Sequence, residues 1–405
     1  MPSPTIAIIG AGLSGLVCAR ILQIHGVAVT VYEMDPSAES RQQGGSLDIH
    51  HDTGQIAVKE AGLYDEFLKN THPGGEAMRV LDKNAHVFID EKEPEGGNGR
   101  PEIDRTTLRQ LFIDALEPGT IEWGSKLVAV RPDETGHELE FARGRTVRAD
   151  LVVGADGAWS KVRSALTAVK PEYTGITMVE LRLTDATINH PDALAIVGQG
   201  SLFALSDNKY IGGHGGDQIA LGLGLRVADD WIIASGIDWN DPVATREALL
   251  REFADWATPL TDMIRECDDA IWPRPIYALP TGHTWERVPG ITLVGDAAHL
   301  MSPFAGEGAN LAMIDGADLA RALLADGSLV AASLGNGRIT AGNFDAALES
   351  YEAKMFPRGA KSAKESANGL AMIFNAEAPK KLVSFFRRMG ILSRAARLVG
   401  IGKGR

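Results

Sequence analysis

The chain has 405 residues, 44% hydrophobic and 23% charged, a balance that suits a soluble globular protein of two or three domains. Forty Lys and Arg face 53 Asp and Glu, a formal net charge of −13. That excludes general attraction to nucleic acid or to anionic lipid, since both need a basic face.

Cys18 and Cys267 stand in no CxxC pair and at no metal spacing, so neither a disulfide framework nor a metal site is expected, and a reducing cytoplasm fits. The first nineteen residues carry no charged side chain. Gly10, Gly12 and Gly15 interrupt that run and no basic flank precedes it, so a signal or integral membrane segment is rejected. In chain order, Thr5–Ile9 predicts a buried strand, Leu13–His25 a helix and Val27–Tyr32 a second strand, together one parallel βαβ unit. Gln55–Leu68 predicts a helix and Val80–Ile89 a strand pair. Asp104–Leu116 predicts a helix with Asp104 as N-cap. Thr120–Glu140 and Thr146–Val153 predict strands. From Tyr173 to Ile237 the runs "MVELRL", "SLFALS", "YIGGHG", "IALGLGL" and "DWIIASG" predict an antiparallel sheet. Pro242–Cys267 predicts helix, Ile291–Val294 a buried strand, and Phe344–Phe374 one long helix. The chain thus reads as an α/β protein, a cofactor domain in discontinuous pieces with an antiparallel sheet inserted between them.

"IIGAGLSGL" sets Gly10, Gly12 and Gly15 as G-x-G-x-x-G between the first strand and helix. The three positions suit a tight turn, backbone approach to a pyrophosphate, and close helix–strand packing. The helix N-terminus adds free N–H groups and a positive dipole end. Glu33 ends the second strand, where a carboxylate can accept both ribose hydroxyls of an adenosine. A Walker A loop is excluded because Leu16 and Val17 stand where Lys and Ser/Thr are needed. The acid favours FAD or NAD over NADP as the resident ligand.

Two distant stretches favour FAD. "LVVGADGAWSKVR" (Leu151–Arg163) is a buried strand followed by Gly154, Asp156 and Gly157. "LVGDAAHLMSPFAGEGAN" (Leu293–Asn310) is another, followed by Asp296 and a Gly-rich helix start. An extended FAD needs a second site for its ribityl hydroxyls, and a helix N-terminus beside the edge of the ring where negative charge gathers on reduction.

The three motifs in this order resemble those of the class A flavoprotein monooxygenases, with the p-hydroxybenzoate hydroxylase fold. Among them "RQQGGSLDIHHDTGQIAVKEAGL", "PEIDRTTLRQLF" and "YEAKMFPRGAKSAKES" are similar to the tetracycline-inactivating subgroup. The resemblance implies a Rossmann-like FAD-binding domain of the GR2 type over residues 1–75, 100–170 and 275–335. It implies an inserted substrate domain over 76–99 and 171–274, and a C-terminal helical segment over 336–405, without a thioredoxin-like third domain. It also implies FAD contacts: Gly10, Gly12 and Gly15 at the pyrophosphate, Glu33 at the ribose, and Arg105 or Arg109 along the FAD backbone. Asp156 and Gly157 match the DG motif, and Asp296 the ribityl site. Pro303, Gly306, Gly308, Ala309 and Asn310 match the loop around the ring, and Gly45, Ser46, Leu47 and Asp48 the segment on its other side. Met34 stands where the subgroup usually has an arginine.

The resemblance further implies reduction by NADPH or NADH and oxygen delivery through a flavin C4a-hydroperoxide, to an electron-rich carbon, an alkene or a ketone. Because the flavin carries the chemistry, no catalytic side chain and no metal is expected. The chain is expected to act on a mid-sized, largely apolar, polycyclic or polyketide-like molecule, in natural-product tailoring or antibiotic modification, as a monomer or weak homodimer. Glu180, Ser201 and Gly222 fall where drug-contacting polar groups stand in the subgroup, which argues against tetracycline itself. Phe203, Phe304, Met372 and Phe374 complete the candidate substrate contacts, and Leu202, Leu205, Leu221 and Leu223 suggest an apolar wall. His299 and Trp159 are expected to be structural, and Glu307 is an unexplained acid in the flavin loop. The basic stretch Pro379–Arg405 is expected to form an amphipathic helix.

Overall fold

The computed structural model describes residues 4–40, 45–72, 77–92, 99–133, 136–198, 200–334 and 341–387. The chain divides into two compact units. One comprises Met1–Pro73, Gly99–Glu172 and Tyr277–Ala367; the other comprises Gly74–Asn98, Tyr173–Ile276 and Asn368–Arg405.

The first unit uses strands β1 (Ile6–Ile9), β2 (Thr30–Tyr32), β3 (Ser46–Asp48), β4 (Glu102–Asp104), β5 (Leu151–Gly154) and β6 (Ile291–Leu293). Its helices include α1 (Leu13–Ile24), α2 (Arg105–Ala115), α3 (Gly308–Leu324) and most of α4 (Ala341–Ile373). The central sheet runs β6-β5-β1-β2 and then Ile121–Glu122, with every neighbour parallel. β1, β5 and β6 are buried at every position. Unbroken apolar runs are what a parallel sheet covered on both faces requires. α1 and α3 pack closely because Gly316 lacks a side chain: a Cβ there would lie 2.3 Å from the Ser14 carbonyl oxygen. β3 and β4 form a separate antiparallel pair.

The second unit is built on a seven-stranded sheet. Its order is Trp272–Ala278, Glu172–Leu183, Ile219–Arg226, Lys209–His214, Ser201–Ser206, Met78–Leu81, Val87–Glu91. One face packs Val179, Leu181, Leu202, Ile211, Leu221 and Leu223 against Leu249, Phe253, Leu260 and Ile264 of the helices Pro242–Glu252 and Thr258–Arg265 and the turn after the first of them.

Several expectations are corrected. The sheet is mixed, since Ser201–Ser206 pairs parallel with Met78–Leu81. "DWIIASG" holds the helix Trp231–Ala234, because a β-branched run this short lacks a partner strand to fix it. Gln55–Leu68 is two helices, Gly54–Glu60 and Tyr64–Lys69, parted by Gly62 at φ 70°. Asp104 precedes α2 but its side chain makes no cap hydrogen bond. In the basic C-terminal stretch, 380–387 is helical, and Arg388, Leu392, Arg394, Arg397, Lys403 and Arg405 lie outside the described residues. Cys18 and Cys267 are both buried free thiols. No helix among the described residues is long and apolar enough to cross a membrane.

Candidate functional site

The glycine-rich loop shows why each glycine is there. Gly10 has φ 105°, and a Cβ on it would lie 2.3 Å from the Ala155 carbonyl oxygen. A Cβ on Gly15 would lie 2.4 Å from the Gly10 oxygen. Both positions are closed by the protein's own backbone. Gly12 differs: the nearest protein atom to its would-be Cβ is 4.0 Å away. Its missing side chain serves something other than packing, as a close ligand approach would require.

Around this loop the charged groups divide between scaffold and open site. Glu33 is buried and accepts from the Ala11 N–H at 2.6 Å and the Asp35 N–H at 2.9 Å. Arg109 is also buried, and its guanidinium donates to the Ala11 and Ala38 carbonyls. Arg109 therefore holds the loop from behind, while Arg105 opens α2, its N–H donating to the Gly45 carbonyl. Gly45 has φ 96° and leads into β3, where Ser46, Leu47 and Asp48 pair with Asp104, Ile103 and Glu102.

Asp156 accepts from the Ser160 hydroxyl at 2.5 Å and from the Lys161 N–H at 2.6 Å, so its carboxylate closes its own turn. Burial pushes its pKa up against those bonds. Gly157 takes φ 72° with open space at its flank. Arg163, buried, donates to the Ala158 and Ala297 carbonyls and ties this turn to the loop after β6. Trp159, expected to pack, is instead 61% exposed, its ring edge-on to Tyr277 at 5.1 Å.

In that second loop, Asp296 accepts no hydrogen bond from any described residue, and its side chain is exposed. It is nevertheless crowded by protein, which pushes its pKa up, with His299, Arg105 and Arg163 pulling the other way. An exposed carboxylate in dense surroundings is one at the floor of a cleft. His299 is structural: its Nε2 meets the Asp315 carboxylate at 2.5 Å. Asp315, fully buried, also accepts from the Gly295 N–H at 3.0 Å and from Arg358 at 2.8 Å. Burial alone would push its carboxyl up, but these partners hold it below the usual range.

The loop continues through Pro303 and Gly306, both exposed, to the N-terminus of α3. The backbone N–H groups of Gly308, Ala309 and Asn310 have no partner among the described residues, as the first turn of a helix leaves them. The Asn310 side chain is occupied: it accepts from the His50 N–H and donates to the Asp48 carbonyl, both at 2.8 Å. His50, which the sequence reading did not single out, lies between two carboxylates. Its Nε2 is 2.8 Å from Asp48 and its Nδ1 is 3.4 Å from Glu307. An i, i+2 spacing in extended chain puts Asp48 and His50 on one side, and that signal was present in "LDIHH".

In the second unit, the register sets Glu180 beside Gly222, Gly222 beside Gly212, and Gly212 beside Phe203. Ser201 lies two residues from Phe203 and faces the same way. The face opposite the apolar core thus carries Glu180, Ser201, Phe203 and Gly222. Phe374 covers Gly224 and meets the Tyr210 ring at 6.3 Å. Glu180 is held by Arg274 through two contacts of 2.9 and 3.0 Å. The expected apolar wall is divided: Leu205 shares the parity of Phe203, but Leu202, Leu221 and Leu223 face the core. Met372 is half-buried near the end of α4, and Phe304 is half-buried in the first unit.

The residues of the first unit fit an extended flavin dinucleotide: a vacant flank at Gly12, an unbonded carboxylate at Asp296, and an open helix N-terminus at α3. Such a site and sheet define a class A flavin monooxygenase. Residues 3–206 and 285–328, more than half of the chain, match the family model described as FAD binding domain. The monooxygenase penA of Penicillium thymicola is 32% identical, covering 91% of this chain and 95% of that protein. The monooxygenase asqM of Emericella nidulans is 30% identical, covering 92% and 96%. The crystal structure of the tetracycline destructase Tet(51) superposes with a TM-score of 0.68 at 21% identity, covering 97% of this chain and 98% of that one, a likeness of fold alone. The chain belongs to the FAD-binding-domain family and is an FAD-dependent monooxygenase.

Proposed function

We propose that FAD lies extended between the two glycine-bearing loops of the first unit, with its adenosine end at Gly10–Gly15 and Glu33 and its ribityl chain at Asp296. The observation that carries this reading is the Asp296 carboxylate, exposed in a crowded cleft and free to accept hydroxyl protons. The N–H groups of Gly308, Ala309 and Asn310, with the positive end of the 17-residue helix α3, would face the part of the ring that gains negative charge. When bound, the cofactor supplies hydride acceptance and oxygen activation. The protein's residues supply only orientation, charge compensation and exclusion of water.

NADPH or NADH is the proposed reductant, and the proposed substrate is a mid-sized, largely apolar polycyclic or polyketide-like molecule. The sheet face carrying Phe203 and Tyr210, covered in part by Phe374, supports an aromatic-walled site, and Gly212, Gly222 and Gly224 make room for the Tyr210, Met178 and Phe374 side chains. Glu180, on that face, is paired with Arg274. The test is oxygen uptake by purified protein with FAD, either nicotinamide, and a set of natural products. Substrate-dependent uptake is expected; a bound flavin that neither nicotinamide reduces would sink the proposal. Asp296→Ala should lose its flavin. Glu180→Gln should raise KM and leave flavin content unchanged.

A further inference from the structure

We propose that His50 is a positioning residue of the flavin site, bridging the Asp48 and Glu307 carboxylates so that Glu307 does not oppose reduction of the bound flavin. The inference rests on the placement of FAD given above.

Glu307 is the N-cap residue of α3, one position before the open N–H groups. A carboxylate there competes with any ligand anion for the positive end of the helix. Left uncompensated, it would disfavour the charge that a reduced flavin brings. His50 supplies the compensation. It is 4% exposed, with one ring nitrogen on Asp48 and the other on Glu307. Neutral imidazole has one donor and one acceptor, so two carboxylates can be served at once only by the protonated ring. Donation to the Asp48 and Glu307 carboxylates accordingly raises the His50 pKa to about 9, against burial. Arg100 lies 3.9 Å from Asp48, and Glu102 stands opposite Asp48 in the β3–β4 pair. His50 is thus the cation placed between Asp48 and Glu307. The position is fixed from both sides. Asn310 binds the backbone at Asp48 and His50, and the Gln55 N–H donates to the His50 carbonyl. A Cβ on Gly54 would lie 2.4 Å from the Asn310 side-chain oxygen, so the segment leaves Asn310 just room enough.

The experiment is the midpoint potential of the bound flavin, measured by spectroelectrochemistry on the holoprotein at neutral pH. His50→Gln should lower the preference for reduced over oxidised flavin by about tenfold, which is about 30 mV more negative for a two-electron couple. The double variant His50→Gln/Glu307→Gln should return toward the parent value. An unmoved potential in the flavin-loaded single variant overturns the proposal. So does a double variant as low as the single one, since the shift would then come from shape and not charge. Should His50→Gln fail to fold, Glu307→Gln alone decides: a potential above the parent's supports the proposal, and an unchanged one overturns it. A parent protein that holds no flavin would count against the cofactor placement itself.

Discussion

Replacing Gly12 with alanine is expected to cost the protein its FAD while sparing its fold, whereas the same change at Gly10 should damage the fold first. Gly12 sits at φ −81°, ψ 173°, an extended conformation open to any residue, with no protein atom nearer than 4.0 Å to an added Cβ. The alanine gains about 0.4–1 kcal/mol from a less flexible unfolded chain. It loses about 0.5–1 kcal/mol as a poorer N-cap. The FAD-free variant should therefore stay within about 1 kcal/mol of the parent. With FAD at a hundred times the parent Kd, an empty site forfeits about 2.7 kcal/mol of ligand-derived stability. Gly10→Ala meets two penalties instead: φ 105° strains an L-residue by about 1–3 kcal/mol. The 2.3 Å overlap with the Ala155 backbone adds about as much again, because neither chain can swing away. Flavin absorbance of the purified variants, with thermal melts run with and without added FAD, measures both quantities. Parent-like FAD affinity in Gly12→Ala, or an FAD-free Gly10→Ala as stable as the parent, would refute the reasoning.

Asp315→Ala should destabilise the protein by about 3–5 kcal/mol in urea denaturation, because it removes the buried carboxylate that pairs with His299 and Arg358 and leaves the buried His299 ring without its partner. Adding Arg358→Met should recover part of that loss. The His50 pair predicts a pH dependence of stability. Its folded pKa of about 9 exceeds the unfolded value near 6.5, so the contribution is whole below about pH 6.5 and fades as pH rises through about 9. After allowance for the partly exposed Asp48 side chain it amounts to about 1–2 kcal/mol. The stability gap between parent and His50→Gln should thus narrow between pH 7 and pH 10; a gap that stays constant would mean the ring is neutral throughout.

The parallel sheet and the three turns that follow β1, β5 and β6 were legible because each rests on a local rule. An apolar run ends at glycine, a helix follows, and an acid stands where its carboxylate is needed. What was not legible depends on distance. Alternation in "SLFALS" and "IALGLGL" shows that two faces exist, but only the helices Pro242–Glu252 and Thr258–Arg265 decide which is core. That the Arg109 and Asn310 side chains bind backbone 98 and 262 residues away could not be read from the sequence. Asp48 and His50 were adjacent in pattern, but the meaning of the pair needs Glu307, brought in from the far end of the unit.

The strand order β6-β5-β1-β2 has a consequence for biosynthesis. β1 and β2 emerge first, yet β1 pairs on its other edge with residues 151–154, and β5 in turn with residues 291–293. Until about three-quarters of the chain has left the ribosome, the nascent sheet keeps an open, wholly apolar edge, the kind that recruits other chains. The glycine loop Gly10–Gly15 is made at once, but the loop bearing Asp296 comes after residue 293. With FAD placed across both loops as proposed, its loading would be a late event, and yield in expression should track protection of that edge during synthesis more than the supply of flavin.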